Sequence, residues 1–451
     1  MKNIFIMLCL TTIVSACATG GARPSAAPEV YEKLLGNGLK VLVRPDTRAP
    51  IVVSQIWYKV GGSYEPYGIT GASHVLEHMM FKGTSTTAPG EFSRIISGLG
   101  GEDNAFTGRD YTAYFQTLEK SHLETALRLE SDRMHDLVFD PAEFGKELEV
   151  VKEERRSRTD DQPEALTYER FTAEAYRESS YRNPVIGWPG DLAAMRVEDL
   201  AHWYSRYYAP NNATLVVVGD VDPEAVFELA EEYFGGIPER VVPRVMDRKE
   251  PDQSSPRRVE VRAPARVPYL LLGYHVPVIA STGEEEEWVP YALEVAAHLL
   301  DGGKSARLHS DLVRKQRVAS SASASYDPLA RKDSLFLFSA NPAQGETVDA
   351  VESAIREQIR IMSEELVTED ELNRVKAQIV AGKVFELDSA FYQGMLLGIL
   401  ETNGLSWRLA WEIADRLRAV TREQVREVVK RYLTTANYTV AVLIPEDDKA
   451  Q

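Results

Sequence analysis

Cysteine is almost absent from this sequence. The 451 residues include two, Cys9 and Cys17, both near the N-terminus, so the body of the chain can close no internal disulfide. Long apolar runs are also missing. The stretch from Ile4 to Val14 is too short to span a bilayer comfortably and has the character of a signal-peptide core. Positive charge is scarce: 51 Lys and Arg against 68 Asp and Glu leave a net charge of −17. That balance excludes a nucleic-acid role, which requires a basic surface, and any broad attraction to anionic lipid. With 44% hydrophobic and 26% charged residues, the composition is that of a soluble globular protein, and the length implies two or more domains.

The densest chemistry lies in His74-Val75-Leu76-Glu77-His78. On a helix, His74 and His78 stand one turn apart on the same face, where both imidazoles can reach one metal ion. Glu77 points the same way without having to bind it. Two neutral imidazoles plus a carboxylate from elsewhere suit Zn²⁺ and leave a position for water, whose proton Glu77 can take as general base. Three ionisable groups among Leu76, Met79 and Met80 have no place in a plain core. The order H-x-x-E-H reverses the commoner H-E-x-x-H.

A third ligand is expected on the segment opening at Asp140, which has strong helix-start chemistry: Asp140 as N-cap, Pro141 at the first position and Glu143 two residues on. It carries Glu147, Glu149, Glu153 and Glu154. One and two turns back from Glu154 lie Val150, Val151 and Glu147, an inward stripe, whereas Glu153 looks back on Glu149, Val150 and Lys146. Periodicity therefore selects Glu154 as the metal ligand. Glu147, on the same face, is the carboxylate expected to support a ligating histidine.

Elsewhere, Asn37-Gly38 between two apolar stretches reads as a hairpin, with positive φ values supplied by the Asn-Gly pair. Ile51–Val60 reads as a strand, Gly83 as a helix C-cap, Phe92–Leu99 as a helix, and Asn104–Thr107 with Tyr111–Leu118 as a strand pair. The pattern Glu198-Asp199-Leu200, Arg206-Tyr207 and Asn212–Val218 recurs as Glu423-Gln424-Val425, Arg431-Tyr432 and Asn437–Leu443. A repeat this long means two homologous domains rather than a solenoid. The proline-rich, charged residues 236–257 read as the linker between them. Strands followed by helices favour an α+β fold with mainly antiparallel sheets. Thr368 with Glu371 and Thr421 with Gln424 read as capping boxes, and His275, His298 and His309 as structural.

Together these motifs resemble the M16 (pitrilysin/insulinase) peptidase family, which also covers mitochondrial processing peptidases. The resemblance rests on His74–His78 with Glu147 and Glu154, on Asn104-Ala105-Phe106-Thr107, and on Tyr207-Tyr208-Ala209-Pro210-Asn211-Asn212. It spans residues 31 to 447. It implies two M16 half-domains, residues 31–235 and 258–447, facing each other as a clamshell across a peptide-holding chamber. It also implies a zinc metalloendopeptidase with one Zn²⁺ per chain, which cuts peptides or unfolded polypeptides, with Asn104, Ala105 and Phe106 adding the substrate as a strand. Self-sufficient members carry an Arg and a Tyr in the second half that hold the substrate carbonyl. Arg307 in Ser305-Ala306-Arg307-Leu308 matches the Arg, but Ser320 stands in place of the Tyr. A second M16 subunit, in a heterodimer or homodimer, is therefore expected to complete the site, unless another tyrosine such as Tyr326 reaches it. A non-catalytic assembly or chaperone-like subunit is the alternative.

The N-terminus carries an address. Val14-Ser15-Ala16-Cys17 resembles a bacterial lipobox, which implies loss of residues 1–16, a lipid on Cys17 and a tether over 17–30. The resemblance places the protein on the periplasmic side of the envelope, at the outer membrane of a Gram-negative bacterium. An ordinary signal peptide with an incidental cysteine is the alternative.

Overall fold

The structure is a computed structural model that describes residues 29–244, 248–434 and 436–446. Cys17, the signal segment and most of the tether lie outside the described residues, as do three residues of the linker and the end of the second half.

The first half builds a six-stranded sheet from β1 (Tyr31–Leu34), β2 (Lys40–Pro45), β3 (Ile51–Tyr58), β4 (Glu102–Thr107), β5 (Thr112–Glu119) and β6 (Ala213–Gly219), in the order β1-β2-β6-β3-β5-β4. Only β2 and β6 run parallel. Its helices are α1 (Ala72–Met79), α2 (Glu91–Gly98), α3 (Leu123–His135), α4 (Pro141–Arg155), α5 (Pro163–Ala175), α6 (Pro189–Ala194), α7 (Val197–Tyr207) and α8 (Pro223–Phe234). The second half builds a five-stranded sheet from β7 (Arg257–Pro264), β8 (Tyr269–Val276), β9 (Ala319–Ser325), β10 (Ser334–Pro342) and β11 (Tyr438–Glu446). Its order is β7-β11-β8-β10-β9, with β7 and β11 parallel. Strand for strand this repeats β2-β6-β3-β5-β4, so the two halves share one topology. The remaining helices are α9 (Val289–Asp301), α10 (Val348–Glu364), α11 (Glu369–Glu386), α12 (Ala390–Thr402), α13 (Leu409–Ala419) and α14 (Arg422–Val428).

The strand sequences explain the layering. β3 and β6 are near-continuous apolar runs, buried along almost their whole length, as strands covered on both faces must be. Val41, Val43, Ile56, Tyr58, Leu215 and Val217 point into the core under the first half's helices. The alternate residues Leu42, Trp57, Val216 and Val218 point the other way and pack against Leu397 and Leu400 of α12. The second sheet mirrors this: Leu271 and Ala441 pack against Phe171 and Ala175 of α5. Each half therefore lends one helix to the outer face of the other's sheet. A Cβ on Gly398 of α12 would come within 2.1 Å of the Trp57 ring, and one on Gly273 of β8 within 2.6 Å of Phe171. Both close approaches require glycine. With these faces filled, the halves clasp each other, and the space left at their hairpin tips is a cavity of about 400 Å³. The outer faces of the two sheets are therefore covered by the opposite half rather than lining a chamber between them.

Local expectations are corrected in three places. The first hairpin has positive φ only at Gly38. Asn37 instead spends its amide on the carbonyls of Phe234 and Ile237, anchoring the end of α8. Gly83, at φ 100°, lies in the turn after α1 rather than capping it, since Met80 closes that helix in right-handed conformation. Thr368 caps α11, but Glu371 does not reach back to it, because its carboxylate is taken by Arg307.

Candidate active site

α1 is held at its start by a buried acid. Glu65 accepts the backbone N–H groups of Gly71 and Ser73 at 2.7 and 2.6 Å, two of the donors a helix N-terminus leaves free. Burial pushes its carboxyl up to about 7 against these bonds. Val75, Leu76 and Met79 enter the core, which turns His74, Glu77 and His78 toward α4. That helix starts as its sequence dictates: Asp140 accepts from the N–H groups of Ala142 and Glu143. Phe144, Leu148 and Val151 bury one stripe, with Glu147 beside them. Val150 is 48% exposed, so the inward stripe behind Glu154 is Glu147 and Val151 alone. Glu153 faces solvent and pairs with Arg156.

Three donor atoms converge. Oε2 of Glu154 lies 3.6 Å from Nε2 of His74 and 3.5 Å from Nε2 of His78, and the three ligand atoms lie within 4.8 Å of one another. That oxygen is buried and has no hydrogen bond. Ligand bonds of about 2.1 Å in tetrahedral geometry put neighbouring donors about 3.4 Å apart, so this His₂Glu set fits zinc. Burial, helped by the charges of His78 and Arg158, drives the His74 imidazole down to about 3, leaving it neutral with a lone pair to give. Behind His78, Oε2 of Glu147 lies 3.2 Å from Nδ1, and its other oxygen pairs with Lys82 at 2.8 Å. Glu77 stands beside this set without joining it. It is half-buried, its carboxyl is raised by burial, and it accepts the hydroxyl of Thr107 on β4.

β4 is the last strand of its sheet, so Asn104, Ala105 and Phe106 lie on an edge with no strand beyond it among the described residues. Arg307 is elsewhere. It forks onto Glu371 at 2.8 and 2.7 Å within the second half, and among the described residues no contact joins it to the histidines. Ser320 bonds carbonyls of β10. Tyr326 donates to the Pro277 carbonyl at 2.6 Å, so its hydroxyl is committed away from the His₂Glu set. His275 and His298 are tied to backbone carbonyls, as structural histidines are.

Three participants escaped the sequence reading. Thr107 holds the Glu77 carboxylate across the strand-to-helix gap, a contact no local spacing predicts. Lys82 and Arg158 each stand four residues past a site residue, His78 and Glu154, and helical spacing alone points to both. Arg158 pairs with Oε1 of Glu154. It sits on a single π-helical turn, Arg156–Asp160, that extends α4, a distortion that collects at functional sites.

Residues 40–188 match the family described as Insulinase (Peptidase family M16), and residues 194–379 match the Peptidase M16 inactive domain. The chain is 33% identical over 371 residues to the zinc protease PqqE of Helicobacter pylori, covering 81% of this chain and 82% of that one. The chain belongs to peptidase family M16. An uncharacterized zinc protease of Bacillus subtilis, YmxG, is 26% identical over 91% of this M16 chain and 97% of its own length. A crystal structure of a protease from Helicobacter pylori superposes with a TM-score of 0.87 at 30% identity, covering 93% of this chain and all of that one. The inactive-domain match falls mainly on the second half, which has no H-x-x-E-H of its own.

Proposed function

We propose that this M16 chain is a zinc metalloendopeptidase of the bacterial cell envelope that cuts peptides or unfolded polypeptides and works with a second M16 subunit. One observation carries the reading: a His₂Glu donor set with zinc spacing has a half-buried, non-ligating carboxylate, Glu77, at its side.

When bound, Zn²⁺ supplies Lewis acidity toward water and the scissile carbonyl. His74 and His78 would hold it through Nε2 and Glu154 through Oε2, with Glu147 fixing the His78 ring through Nδ1. Glu77 takes the proton of the attacking water and passes it to the leaving amine. Its raised proton affinity suits both steps, and Thr107 keeps the carboxylate aimed. The open edge of β4 pairs with the substrate backbone as an added strand.

The second subunit follows from what is missing. A developing oxyanion needs a donor, and loss of one such donor costs about 10²–10³ in rate. Here Arg307 is engaged with Glu371 and Ser320 replaces the tyrosine, so a partner is needed to supply both groups. The envelope address rests on the apolar N-terminal run and Cys17.

The test combines metal analysis with cleavage of a quenched peptide library by the full chain, alone and with a co-purified M16 partner. Glu77→Gln is expected to keep stoichiometric zinc and lose hydrolysis by about 10²–10⁴, whereas Glu154→Ala loses the metal and Glu153→Ala does not. Unchanged hydrolysis in Glu77→Gln would overturn the mechanism. Zinc binding without cleavage of any peptide, with or without partner, would favour the assembly-subunit reading.

A further inference from the structure

The hairpin tips joining β4 to β5 and β9 to β10 meet between the halves around the 400 Å³ cavity. Arg109 stands on the first tip, two residues past Thr107, the residue that holds Glu77. Its guanidinium donates to the Tyr168 hydroxyl at 3.2 Å and lies over the Tyr181 ring, 5.2 Å from its centre. Among the described residues it has no carboxylate within ion-pairing distance.

The neighbouring acids do not fill that role. Asp110 is buried and already accepts from Ser63, Tyr181 and Arg331. Asp327, which also lines the cavity, accepts the N–H of Leu329; burial raises its carboxyl and the charge of Arg109 lowers it, without the two pairing directly. Beside it, Asn403 keeps a buried side-chain oxygen with no partner. The floor of the cavity thus presents acceptors, which repel an anion. Its mouth presents a guanidinium. Tyr168 is 39% exposed, so the mouth opens to solvent beside α5.

A cation partly withdrawn from water normally finds a counter-charge, because desolvation without one is costly. The Tyr168 oxygen accepts from Arg109, which leaves its own O–H free to donate. A planar fork of N–H donors next to a phenolic O–H matches the two oxygens of a carboxylate. We propose that Arg109 and Tyr168 form a subsite for a carboxylate of the bound peptide, either an Asp or Glu side chain near the cleaved bond or the peptide's C-terminus. The inference rests on the peptidase reading: a strand added along β4 that continues past Thr107 arrives at this mouth.

The test uses the full enzyme, with its partner subunit if cleavage requires it. Matched peptides carry Glu or Gln at each position flanking the cleaved bond, and a free or amidated C-terminus. Wild type is expected to prefer one acidic position, or the free terminus, by about tenfold or more in kcat/KM, the worth of one charge-assisted hydrogen bond. Which series responds identifies the source of the carboxylate. Arg109→Met and Tyr168→Phe should each pull that ratio toward one. Tyr168→Phe keeps the ring and therefore the packing, so it still reports if Arg109→Met folds poorly. Equal cleavage of acidic and amide peptides by wild type, or a preference that survives both substitutions, overturns the subsite. If no peptide is cleaved, the peptidase reading fails instead. The subsite is then decided by anisotropy of labelled peptides on Glu77→Gln, where loss of the acidic preference in the Arg109→Met background supports it and an absent or unaltered preference removes it.

Discussion

Glu147 spends one oxygen on His78 and the other on Lys82, contacts that suit holding the His78 ring rather than ligating a metal. Glu147→Ala should leave the fold intact and weaken zinc by about 10- to 100-fold, read by competition with a chromophoric chelator. Glu65 makes a prediction about pH. Its carboxyl stands near 7 in the fold against 4.5 ordinarily, so between those values the unfolded chain gives up a proton that the folded chain keeps. Its contribution to stability is complete below about pH 4.5 and is lost as pH rises through 7, at about 1.4 kcal/mol per unit. Denaturation of wild type relative to Glu65→Gln should show that slope, and parallel pH curves would refute it. At this scale His74, Glu77 and His78 were legible, because a helix makes one face from fixed offsets. Glu154 was selected over Glu153 by a stripe that included Val150, which is exposed. Val151 and Glu147 alone set the inward direction that brings Glu154 beside the two histidines. Thr107 was not legible as the partner of Glu77, since strand-to-helix contacts have no local period.

Among the elements, α12 depends on a missing side chain. Gly398 lets it settle onto Trp57, and even a methyl group there would lie 2.1 Å from the indole. Because Trp57 is fully buried, the ring cannot swing aside cheaply. Gly398→Ala should cost about 1–3 kcal/mol through overpacking, read as a lower denaturation midpoint. Gly382 in α11 has open space where its Cβ would be, and Gly382→Ala should instead stabilise by about 0.4–1 kcal/mol. The apolar runs of β3 and β6 suit strands buried on both faces. Which helix covers the second face is a matter of long-range topology, and nothing in either run encodes it. The capping residues told a similar story: Thr421 and Gln424 bond reciprocally, whereas Glu371 was drawn away by Arg307.

Across the whole molecule, the internal repeat foretold two like domains, and the shared strand order is its structural counterpart. The repeat could not foretell the exchange of α5 and α12, because each helix packs far from its own sheet. That exchange has a consequence for how the chain is held together. The exchange gives the chain the geometry of two like units, each covering the other's sheet with one helix. The linker's Glu250 accepts the backbone N–H groups of Arg177, Glu178 and Ser179, but the clasp itself rests on α5 and α12. A protease site inserted at the exposed Val241, once cut, should leave two fragments that co-elute at low concentration and separate only in denaturant. Either fragment expressed alone should precipitate, the first with Leu42, Trp57 and Val216 bared to water. Free separation of the fragments on simple dilution would show that the clasp is weaker than its burial implies.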